Sequence, residues 1–68
     1  MNLNNQNIAS MDINILFSII NLKLRNDFSS LSSLCASFEI DEQRLIERLK
    51  SGGFHFETKE NQFKRDSL

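Results

Sequence analysis

Apolar residues crowd the stretch from Ile13 to Leu24, and the few polar ones recur on a helical period. Asn14, Ser18, Asn21 and Arg25 fall four, three and four positions apart. That spacing predicts a helix from Ile13 to Arg25 or Asn26 with one narrow polar stripe. The other positions are mostly apolar: Ile13, Ile15, Leu16, Phe17, Ile19, Ile20, Leu22 and Leu24. A surface helix of a small domain normally hides a single apolar stripe, and here the apolar surface covers most of the circumference. Only Lys23 interrupts its far side, where the stem can lie along apolar surface. Asp12 is placed to cap the helix, with Ser10 as a competing cap.

A second helix is predicted at Leu31 to Ser37, because Leu31, Leu34, Cys35 and Phe38 recur at helical spacing. Phe38-Glu39-Ile40 reads as a tight turn. Asp41 then caps a third helix, Glu42 to Ser51, whose inner side carries Leu45, Ile46 and Leu49. Gly52-Gly53 ends it, since glycine accepts the left-handed backbone of a helix terminus. Phe54-His55-Phe56-Glu57 alternates as a half-buried strand. Thr58 to Asn61 forms a polar loop, and Gln62-Phe63-Lys64 returns as the second strand.

The expected fold is therefore mostly α: three helices and a short C-terminal β-hairpin, in a winged helix-turn-helix-like arrangement. The single domain is expected over residues 12–65. Residues 1–11, with four asparagines and little to pack, read as a disordered or weakly ordered tail, and residues 66–68 as a frayed end.

Size alters this picture. With 68 residues, the domain has a small core and is marginal without a staple. Cys35 is the only cysteine and His55 the only histidine, so neither an intrachain disulfide nor a zinc site is available. Self-association, most simply as a homodimer, is the staple left. Cys35 lies in an apolar stripe and is expected to be a buried side chain in a reducing compartment. His55 is expected to be exposed on the outer face of its strand. No catalytic constellation, phosphate loop or metal spacing occurs, so a non-enzymatic protein without cofactors is expected. The N-terminus lacks the pattern of a signal peptide, and the longest apolar stretch is too interrupted to span a bilayer. A cytoplasmic protein away from membranes is expected.

Two binding readings follow. In the first, the chain engages itself and another, unknown protein. Its candidate residues are Ile15 and Ile19 on the apolar circumference, and Asn21 and Arg25 of the polar stripe. In the second, the helix-turn-helix reads DNA with Gln43, Arg44, Arg48 and Lys50 of the third helix and Lys59 and Lys64 of the wing. A net charge of −1, with nine acidic and eight basic residues, favours the first, because a phosphate-tracking surface needs a clear positive excess. Two positions also depart from the usual helix-turn-helix pattern. Glu39 stands where glycine is common, and Arg48 where a small or aliphatic residue is common.

The residues Ser18, Asn21, Lys23-Leu24-Arg25, Asp27, Ser30-Leu31, Leu34-Cys35, Ile40-Asp41, Leu49, Gly53-Phe54, Phe56 and above all Asn61-Gln62-Phe63 carry a family likeness. From Asp12 to Lys64 the chain resembles a family of small bacterial proteins known only as domain of unknown function 4250. Asn26 replaces the family's usual aspartate, and Phe28, Phe54 and Phe56 stand where tyrosine is frequent. The resemblance implies a stand-alone bacterial cytoplasmic protein and no particular activity. It also draws attention to Asn21, Lys23, Arg25, Asn61 and Gln62 as candidate partner contacts, polar where packing alone does not require it. Two accounts of them are left: docking of the hairpin on the first helix through amide hydrogen bonds, or a shared partner surface.

Overall fold

The computed structural model describes residues 3–66. Its elements run α1 (Asn5–Ser10), α2 (Ile13–Asn26), α3 (Leu31–Phe38), α4 (Glu42–Ser51), β1 (Phe54–Glu57) and β2 (Gln62–Arg65). The mostly α fold with a C-terminal hairpin is as expected, with one helix more than the sequence pattern indicated.

Each expected cap is in place. The Asp12 carboxylate accepts from the backbone N–H groups of Asn14 and Ile15, and Asp41 serves Gln43 and Arg44 in the same way. Ser30 caps α3 by accepting from Ser33. Such side chains stabilise a helix by about 1 kcal/mol each, because they satisfy donors that have no intrahelical partner. Ser10, the competing cap for α2, instead donates its hydroxyl back to the Gln6 carbonyl.

The core is one cluster. Leu16, Ile20 and Leu24, four residues apart on α2, meet Leu31, Leu34 and Cys35 of α3, Leu45 and Leu49 of α4, and Phe54 and Phe63 of the hairpin. Phe17 stacks on Phe54 with ring centroids 4.1 Å apart. The strands pair antiparallel with Phe56 opposite Phe63 and His55 opposite Lys64. The Asp66 N–H reaches the Gly53 carbonyl, so the pairing extends one residue into the end expected to fray. The remainder of that end lies outside the described residues, as do residues 1 and 2 of the expected tail.

The rest of that tail is the main departure. Residues 5–10 form α1, capped by Asn4, and Leu3 and Ile8 are buried in the common core. A six-residue helix is not stable by itself. It is held from outside by α4. The Arg48 guanidinium donates to the carbonyls of Ile8 and Met11 at 3.0 and 2.9 Å, and the Asn5 side-chain oxygen accepts the Asp41 N–H. A polar segment with two apolar residues five apart shows no helical period, so the sequence pattern concealed it.

The turns follow local chemistry. Gly52 packs so closely on Ile13 that an added Cβ would stand 2.4 Å from its Cγ1, and Gly53 has a φ of +87°. Glu39 is left-handed, with φ 56° and ψ 41°. The N–H of Ile40 bonds back to Cys35 and that of Glu39 to Ala36, a Schellman closure of α3. A non-glycine residue there is strained by roughly 1–2 kcal/mol, while glycine costs about 0.5–1 kcal/mol more unfolded-chain entropy. Glu39→Gly is therefore expected to raise stability by up to about 1 kcal/mol, read as a higher urea midpoint at unchanged m-value.

Candidate interaction surface

The polar residues singled out on α2 and the hairpin divide into two groups. Asn21, Asn61 and Gln62 form the first. The Asn21 side-chain amide donates to the Phe63 carbonyl at 2.9 Å, and its oxygen accepts the Phe63 N–H at 2.7 Å. It thus meets the outer edge of β2 as a neighbouring strand would. Gln62 returns the contact by donating to the Asn21 carbonyl at 3.1 Å. Asn61, left-handed at φ 54°, donates to the carbonyls of Leu24 and Phe28 at 3.2 and 3.1 Å and so closes the C-terminal end of α2. Of the two accounts of these residues, the geometry matches docking of the hairpin. As candidate partner contacts, all three have amide groups already bonded within the chain.

The second group remains outward. Ile15 is 51% and Leu22 59% exposed, the large apolar side chains most open to solvent among the described residues. Ile19 is half-buried between them, and Ser18 is exposed. Ile15, Ile19 and Leu22 are spaced four and three apart, so they form one stripe of α2, with Ile15 and Leu22 open and Ile19 also packed against the core. Leu22 was not singled out from the sequence, although the same spacing marks it. Lys23 holds its ammonium 5.1 Å from the centroid of the Phe38 ring. Arg25 is exposed and lines an open cleft of about 740 Å³ between α2 and β2, together with Asn21, Gln62 and Lys64.

The residues of the DNA reading are dispersed. Gln43, Arg44 and Lys50 are exposed on α4, but the Gln43 amide is bonded to Glu47. Arg48 holds α1, which explains why no small residue stands at that position. Lys59 is exposed at the hairpin loop, and Lys64 is paired with Glu60 at 2.8 Å. Glu42, at the start of α4, accepts from the Ser32 hydroxyl.

Two groups have shifted protonation. Burial, reinforced by Glu42 and Asp41, pushes the Cys35 thiol up to about 11, which keeps it protonated and unreactive. On the open face of the hairpin, the His55 ring lies between Asp66, 2.5 Å from Nδ1, and Glu57, 2.9 Å from Nε2. The hydrogen bond to Asp66, followed by that to Glu57, raises its pKa above 6.5.

These features define a small, mostly α domain whose hairpin is docked on its central helix by side-chain amides, with an apolar stripe of that helix left open. The profile of the family described as Domain of unknown function (DUF4250) matches residues 10–63, and the chain belongs to that family. The matched span contains Asn21, Asn61, Gln62 and Phe63, so the docking contacts lie within the shared unit, whereas most of α1 lies outside it. No curated protein and no solved structure matches the chain.

Asn21→Ala strands two backbone groups of β2. It is expected to cost about 2–3 kcal/mol in urea unfolding, against under about 0.5 kcal/mol for exposed Asn14→Ala. For His55, a raised folded pKa means that its contribution to stability is complete below pH 6.5 and is lost as pH rises through the folded value. An NMR titration should place the His55 midpoint above 6.5 and show it falling in Asp66→Asn.

Proposed function

We propose that this protein is a non-enzymatic interaction module of the bacterial cytoplasm, which self-associates and engages another protein through the open side of α2. The exposure of Ile15 and Leu22 beside Ile19 carries this reading. Half-exposed aliphatic side chains in a domain this small are a deficit that a partner surface removes, and covering both is worth on the order of 2 kcal/mol. The mixed charge elsewhere supports an apolar partner surface over a polyanion. The nucleic-acid reading has less support, because Arg48 is bonded to backbone carbonyls of the N-terminal segment and Lys64 to Glu60.

Light scattering across a concentration series tests the proposal. The chain should approach dimer mass at high micromolar concentration, while an Ile15→Ser, Leu22→Ser double variant stays monomeric with an unchanged circular dichroism spectrum. A native chain that remains monomeric at high micromolar concentration would overturn it.

A further inference from the structure

We infer that the occupant of the open α2 stripe is the α2 of a second copy, running antiparallel about a two-fold axis. This rests on the self-association proposed above and adds its geometry. A two-fold interface pairs one surface with itself, so that surface must carry its own complement. The α2 stripe does so in one direction only.

Ile15 and Leu22 are seven positions apart with Ile19 between them, the spacing of a short helix–helix seam. Ser18, exposed and small, sits at the middle, where two backbones approach most closely. An axis passing between residues 18 and 19 sets Ile15 of one copy against Leu22 of the other, and does so twice.

The flanks supply the direction. Asp12 and Lys23 are eleven positions apart, close to three full turns, so they lie on the same flank at opposite ends of a helix about 21 Å long. A two-fold axis across antiparallel helices keeps each flank on its own side. It therefore brings the Asp12 end of one copy beside the Lys23 end of the other, at both ends of the seam. The parallel arrangement would instead gather Lys23 and Arg25 of both copies, the two cations of the last turn, at one end of the seam. It would also set the two helix dipoles side by side in the same direction. The charges needed are accessible. Asp12 is exposed while it caps. Lys23 is half-buried with its ammonium held over the Phe38 ring, and no carboxylate of its own chain is paired to it in the ion pairs found among the described residues.

Cysteine pairing separates the arrangements. Ile15→Cys, enlarged by a tag, is mixed with untagged Leu22→Cys and oxidised mildly. Cys35 remains in place, because its buried thiol stays protonated. The antiparallel seam should yield the 15–22 heterodimer at least about 5-fold over the 15–15 and 22–22 products. Asp12→Asn, which keeps the cap, and Lys23→Gln should each weaken the native dimer about 2- to 5-fold. Predominance of the two homodimers, or a native dimer by scattering that gives no cross-link, overturns the antiparallel seam and leaves self-association standing. A monomeric native chain removes both.

Discussion

The fold turns on one amide. Two strands of four residues do not hold together in water by themselves, and β2 would present an unpaired edge at the position of Phe63. The Asn21 side chain supplies both a donor and an acceptor to that edge, from a helix 42 residues earlier in the chain. Once β2 is fixed there, Phe63 and Phe54 enter the core and Phe17 stacks on Phe54. The hairpin then closes over Leu16, Ile20 and Leu24. Asn61 and Gln62 strengthen the joint by bonding the Leu24 and Asn21 carbonyls of the same helix and the Phe28 carbonyl just beyond it. Polar residues at these positions therefore act through main-chain groups.

That role was only half legible in the sequence. Periodicity and capping chemistry located α2, α3, α4 and the hairpin to within a residue or two, because those signals are local. The oddness of Asn21, Asn61 and Gln62 was visible too. Their mutual contact was not, since sequence spacing does not indicate which carbonyl a distant amide will meet. Arg48 shows the same limit. It stood out as a departure at a helix-crossing position, but the reason lies forty residues upstream, in carbonyls of a segment with no apolar period. Among the apolar residues of α2, the sequence indicated an excess and singled out Ile15 and Ile19, but not Leu22. The core takes Leu16, Ile20 and Leu24, and the hairpin takes Phe17, which leaves Ile15 and Leu22 outside.

The charged residues are mostly spent on the chain itself. Asp12 and Asp41 close helix ends, Glu42 meets Ser32, Lys64 meets Glu60, and Glu57 and Asp66 flank His55. A surface with charges of mixed sign and a net charge of −1 projects little long-range field. Contact with a partner then draws mainly on shape and apolar area, both of which the α2 stripe offers, with charge left to set direction at its ends.

The anchoring of α1 has a consequence for how this segment can drift in evolution. Arg48 holds carbonyl oxygens, which every residue type possesses, and only Leu3 and Ile8 from this segment enter the core. The grip is thus blind to the identity of Gln6, Ala9 and Ser10, all of them turned to solvent. Those sites are free to accumulate neutral replacements so long as the backbone can still coil and Ile8 keeps its bulk. A stretch that looks compositionally careless is, on this view, under selection at very few points.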